Sequence, residues 1–170
     1  MRLFIAINFN EEMKNALLTI EEQLRQNSVR GRYTKPENLH LTLAFIGEYG
    51  DPDYVLDTLA MVRFRPFELR LDRLGDFGRL WWAGISAPEQ LPNCASQIRH
   101  YLADAGIPFD RKKFSPHITL IREPDKPAIP AVTIPDAAMT VGEISLMRSD
   151  QGKRGMIYTE IGSIGSSDIS

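Results

Sequence analysis

Apolar residues fall along this chain in two rhythms, one of strands and one of helices. Residues 2–9, RLFIAINF, form a nearly unbroken apolar run and predict a buried strand. Asn10 follows as a helix cap, with Glu11 and Glu12 as an acidic first turn that suits the positive end of a helix dipole. Met13, Leu17, Ile20 and Leu24 then recur at spacings of 4, 3 and 4, a single helical stripe, and Gly31 closes the loop behind them. Residues 38–48, NLHLTLAFIGE, predict a second buried strand. Asp51 and Pro52 open a second helix whose buried face is Val55, Leu56, Leu59 and Val62. Phe67, Leu69 and Leu71 alternate, so residues 67–74 predict a half-buried strand, and LWWAGIS (80–86) predicts another. GDFGRL (75–80) reads as the turn between them. A third helix over 88–105 carries Leu91, Ala95, Ile98 and Leu102 in stripe and stops at Gly106. HITLIR (117–122) is a further strand, PDKPAIP (124–130) a loop of fixed φ angles. The remaining apolar segments at 132–134, 139–147 and 156–161 read as β, and residues 163–170 as a frayed tail.

The run at 38–48 contains an anomaly: His40 and Thr42 interrupt a core strand two residues apart. Side chains alternate along a strand, so both face one way while Leu41 and Leu43 face the core. The same arrangement recurs. RLFIAI begins at Arg2 and RLWWAGI at Arg79; His40 matches His117 and Thr42 matches Thr119, each pair 77 residues apart. The two helical stripes match one residue further on, a slip that a loop absorbs. Each half therefore reads strand, helix, strand, with the second strand opening His–apolar–Thr–apolar. An internal duplication of this kind makes residues 1–170 one domain of two lobes, with the two His strands brought together across a cleft.

Composition narrows what such a cleft does. The net charge of −2 excludes a strongly basic nucleic-acid coat, so any nucleic-acid contact is local. One cysteine, Cys94, forbids an internal disulfide and sits in the third helical stripe as a packing residue; a reducing, cytoplasmic setting fits. The opening residues are too short for a signal peptide, and no apolar run approaches membrane-spanning length.

Two imidazoles and two hydroxyls suit in-line substitution at phosphorus. One histidine activates the nucleophile while the other protonates the leaving oxygen, and the hydroxyls donate to non-bridging oxygens. Arg122 follows the second motif, but it lies three residues from Thr119, so plain alternation aims it away; a strand end or bulge is needed to turn it back. Arg111, Lys112 and Lys113 precede that motif, either as a basic edge or as solvated loop charges. A metal site is the rival reading, but the motifs carry no Asp, Glu or Cys beside the histidines. His100 lies on the third helix without a partner motif and reads as a surface residue. Phe45, Phe77, Trp82 and Tyr158 are candidates for stacking on a base.

KPENLHLTLAFIGE (35–48) and KKFSPHITLIRE (112–123), with RLFIAI at the start and LMRSDQGKRGMIYTEI (146–161) near the end, resemble the two-histidine (2H) phosphoesterase superfamily. The likeness is greatest to its RNA 2′,3′-cyclic phosphodiesterase, or 2′-5′ RNA ligase, branch. The resemblance implies an α+β bilobal fold: two pseudo-symmetric lobes with antiparallel sheets facing a central cleft and helices outside. It implies hydrolysis of RNA 2′,3′-cyclic phosphate ends to 2′-phosphates, with His40 as proton donor and His117 as acceptor, and with Thr42, Thr119 and Arg122 holding phosphate. With an RNA 5′-hydroxyl in place of water, the same geometry makes a 2′-5′ linkage. No cofactor and no metal are implied. The implied partners are RNA 3′ ends or small cyclic-phosphate nucleotides, with no membrane and no obligate protein partner, in a monomer. A small-nucleotide 2H enzyme, acting on ADP-ribose cyclic phosphate or a 2′-5′ oligonucleotide, and an RNA-end binding module remain the alternatives.

Overall fold

A computed structural model describes residues 1–167. Its elements in chain order are β1 (Arg2–Asn8), α1 (Glu11–Gln26), β2 (Arg32–Tyr33), a 3₁₀ turn at Pro36–Asn38, β3 (His40–Glu48), α2 (Pro52–Leu59), β4 (Phe67–Asp76), β5 (Leu80–Ser86), α3 (Gln90–Asp104), β6 (Ile118–Arg122), β7 (Ala138–Val141), β8 (Glu143–Gly152) and β9 (Gly155–Gly165). Local chemistry starts the helices where the sequence predicts. Asn10 Oδ1 accepts from Met13 N at 2.9 Å, and Asp51 Oδ1 accepts from Tyr54 N at 3.0 Å.

The strands form two antiparallel sheets, ordered β3-β1-β8-β9 and β2-β6-β5-β4-β7. This is the α+β bilobal fold, with one His strand in each sheet. Strands β3 and β6 approach each other where the lobes meet. The helices exchange places: α1 packs against β6 and β7 of the second sheet, whereas α3 packs against β3 of the first. One apolar core therefore runs through both lobes, from Leu3, Ile5 and Leu41 to Leu69, Ile118 and Leu120. Cys94 is buried in it, and burial pushes its thiol pKa up to about 12.

Several expectations need correction. Residues 132–134 form no strand, because the backbone of Thr133 pairs with a side chain instead: Gln23 Nε2 donates to its carbonyl at 2.8 Å, and its N–H donates to Gln23 Oε1 at 2.7 Å. Gly75, Asp76 and Leu80 belong to strands, so the turn in GDFGRL shrinks to Phe77–Arg79. Helix α2 ends at Leu59, before Val62. The tail is not frayed at 163–167: β9 runs to Gly165, and Ser166 and Ser167 donate to the carbonyls of Gly142 and Phe64. Residues 168–170 lie outside the described residues. The short β2 and the turn at Pro36–Asn38 have no apolar period to announce them.

Candidate active site

The two sheets turn their polar faces toward one cleft of about 1080 Å³, lined by His40, Thr42, His117, Thr119 and Arg122 together. Leu41, Leu43, Ile118 and Leu120 are buried on the opposite faces, as strand alternation requires.

What aims the next side chain is a bulge in each strand. Between β1 and β3 the pairing passes from Ile5–Ala44 to Ala6–Thr42 and skips Leu43. Between β5 and β6 it passes from Trp81–Ile121 to Trp82–Thr119 and skips Leu120. The extra residue shifts the alternation by one. Consecutive residues Leu43 and Ala44 are both buried, as are Leu120 and Ile121. Phe45 thus rejoins the face of Thr42, and Arg122 rejoins the face of Thr119; both line the cleft. The two bulges stand 77 residues apart, like the motifs. The same geometry delivers an aromatic ring on one side and a guanidinium on the other.

Both imidazoles are held in the same way. His40 Nδ1 lies 2.7 Å from the carbonyl oxygen of Asn38, and His117 Nδ1 lies 2.7 Å from that of Ser115. A carbonyl only accepts, so Nδ1 carries the hydrogen in each and Nε2 is left for chemistry. In His40 that Nε2 sits 2.9 Å from Thr42 Oγ1, which donates to it while the ring is neutral. Burial lowers the His40 pKa; the Asn38 carbonyl opposes this, while the charges of His117 and Arg122 add to it. Phe4 and Tyr158 pack on the His40 ring at 5.0 and 5.2 Å, and Phe77 packs edge-on against His117 at 5.0 Å.

Other candidates are placed less centrally. Lys112 lines the cleft, while Arg111 and Lys113 are exposed, Arg111 over the ring of Phe109. His100 is exposed on α3, 3.2 Å from Asp104 Oδ2. Among the described residues no three His, Cys, Asp or Glu side chains gather as ligands. Sequence reasoning missed Asn38 as a support. Its carbonyl orients His40, and its Nδ2 donates to Met156 O at 3.0 Å, tying that support to β9. It also missed Arg148 of β8, which joins the cleft wall.

The sequence profile of the 2′-5′ RNA ligase superfamily matches residues 16–153. The chain belongs to that superfamily. Among similar superfamily members, an RNA 2′,3′-cyclic phosphodiesterase of Thermus thermophilus is 33% identical, covering 94% of this chain and 87% of that protein. One of Escherichia coli K12 is 32% identical over 94% of this chain and 93% of its own. The crystal structure of E. coli LigT in apo form superposes with a TM-score of 0.83 at 30% identity, covering 98% of both chains, and LigT has also been solved with 3′-AMP.

Proposed function

We propose that this superfamily member opens 2′,3′-cyclic phosphates at RNA 3′ ends to leave 2′-phosphates. The observation that carries the reading is the convergence of two tautomer-fixed histidines, each with its Thr, on one cleft that also holds Arg122. The cyclic phosphate lies between the lobes, its non-bridging oxygens on Thr42, Thr119 and Arg122. Water attacks phosphorus opposite O3′. His117 Nε2 takes the water proton, the P–O3′ bond breaks, and His40 Nε2 gives a proton to O3′. Strain in the five-membered ring drives the opening, so the reaction calls for no nucleotide cofactor and no metal. Burial lowers the proton affinity of His40 in the free protein, and the arriving phosphate anion raises it, which favours the donor form on binding. An RNA 5′-hydroxyl in the place of water gives a 2′-5′ linkage with the same roles, and cutting that linkage swaps them. We infer a cytoplasmic monomer needing no protein partner.

The test is a short RNA ending in a 2′,3′-cyclic phosphate, incubated with EDTA and followed by phosphorus NMR. A 2′-phosphate product is expected. A 3′-phosphate product refutes the P–O3′ cut, and no turnover by folded protein moves the weight to a small-nucleotide substrate or a binding role. His40→Ala is expected to lower kcat by at least about 10²-fold while the cyclic end still binds. Equal loss of binding and turnover rejects a role for His40 in proton transfer.

A further inference from the structure

Phe77 stands at the β4–β5 turn, half exposed, although a ring of its size is costly to leave in water. Its position is nonetheless fixed. Phe77 N donates to Leu80 O at 2.8 Å, and Gly78 N donates to Asp76 Oδ1 at 3.1 Å, which closes the turn tightly. One edge contact ties the ring to His117 at 5.0 Å, and a tilted contact ties it to Trp82 at 5.4 Å. The indole of Trp82 lies across Gly75, where any Cβ would meet Cζ2 at 2.3 Å. The glycine lets the indole lie flat on the strand, and the indole supports Phe77. On the other histidine, the aromatic neighbours are used differently. Tyr158 meets both His40 and Phe4 edge-on, so its ring serves to hold the imidazole. Of the two rings set edge-on to these imidazoles, Phe77 on His117 is the more exposed, whereas Tyr158 on His40 is half-buried.

We propose that Phe77, backed by Trp82, is a stacking subsite for the nucleobase of the nucleoside that carries O5′ in a 2′-5′ linkage. The inference rests on the function proposed above, in which His117 serves the nucleophile side. In-line displacement places nucleophile and leaving group on opposite sides of phosphorus. In hydrolysis the nucleophile side holds only water, and no base lies near His117. In joining, the 5′-hydroxyl loses its proton to His117, the P–O5′ bond forms, P–O3′ breaks, and His40 protonates O3′. In cutting, O3′ loses its proton to His40, P–O3′ forms, P–O5′ breaks, and His117 protonates O5′. Both directions put a second nucleoside beside His117, within reach of the ring packed on it. Every base has a π-face, so the subsite takes a second nucleoside with little base preference.

The experiment compares kcat/KM for cutting a 2′-5′-linked diadenosine monophosphate with kcat/KM for opening an RNA cyclic-phosphate end. It uses wild-type protein, Phe77→Leu, which keeps an apolar edge on His117, and Phe77→Trp, which keeps a π-face. Phe77→Leu is expected to lower the ratio of the two about tenfold, through KM of the dinucleotide, because it removes the base–aromatic stack. Phe77→Trp is expected to restore the ratio. Equal losses on both substrates overturn the subsite and make Phe77 a support for His117. A loss confined to the cyclic end overturns it by placing the cyclic nucleotide on the Phe77 side. Wild-type protein that opens the cyclic end but neither cuts nor joins 2′-5′ linkages overturns the subsite and leaves the hydrolase standing. Failure to open the cyclic end refutes the function itself.

Discussion

The residue that the sequence makes conspicuous, His40, is governed by partners that residue types do not reveal. Two backbone carbonyls, from Asn38 and Ser115, fix the tautomers of both histidines. Any residue supplies a carbonyl, so this part of the site is written in backbone shape and is silent in the sequence. The His and Thr themselves were legible because a polar pair is out of place in an apolar run. His40 also carries a pH signature. Its lowered pKa, caused first by burial, means that the free protein protonates it only below the ordinary imidazole range. In the proton-donor role proposed above it acts when protonated, so kcat/KM is expected to fall as pH rises through that depressed value. The limb in kcat, set in the complex with an anionic phosphate, is expected at higher pH. Rate profiles on the cyclic-phosphate RNA check this, and an alkaline limb of kcat/KM above the ordinary imidazole range contradicts the donor role.

At the scale of elements, the site depends on two bulges more than on two strands. A period of two, read along HITLIR, sends Arg122 to the wrong face, and only the skipped Leu120 returns it. The sequence raises the need for a bulge without locating it, because Leu120 and Ile121 are both ordinary core residues. The failed strand at 132–134 has a similar cause: apolar spacing suggests pairing, but Gln23 captures the backbone. Arg122 is also braced from outside. Strand β2 pairs Arg32 with Arg122, and the chain reaches it through Gly31. A Cβ on Gly31 would stand 2.9 Å from the carbonyl oxygens of Arg122 and Glu123. Gly31→Ala is therefore expected to cost about 1–3 kcal/mol in urea unfolding and to raise KM for the cyclic end by displacing Arg122. Unchanged stability and KM show that the brace is dispensable.

For the whole molecule, the two lobes are entangled in a way that the pattern of apolar residues hides. Helical stripes say that α1 and α3 are amphipathic, not which sheet each covers, and both cover the sheet that the other half's His strand belongs to. This exchange buries an ionisable group. Glu21 of α1 is 1% exposed, with Oε2 unpartnered and Arg25 Nη2 3.9 Å from Oε1. Burial raises its pKa to about 8, with Arg25 opposing. The native state therefore keeps a proton that the unfolded chain loses near pH 4.5. Between those values the unfolded state binds fewer protons, so stability falls as pH rises, and the loss levels off above about pH 8. Glu21→Gln is expected to flatten that decline and to gain on the order of 2–4 kcal/mol over the wild type by pH 8. Chemical denaturation at pH 5 and pH 8 checks it, and equal wild-type and variant slopes refute it.

The order β3-β1-β8-β9 has a consequence for the newborn chain. Within this sheet β1 is synthesised before the other strands yet lies in its interior, and one of its partners, residues 143–152, is synthesised only after β3 and the whole of the second half's helix. At a synthesis rate of about 5–20 residues per second, β1 waits many seconds with that edge unsatisfied. Vectorial synthesis thus gives no early, self-sufficient lobe. Any nascent chain stalled short of β8 carries an apolar strand with an open edge, the kind of surface on which chains aggregate and chaperones bind.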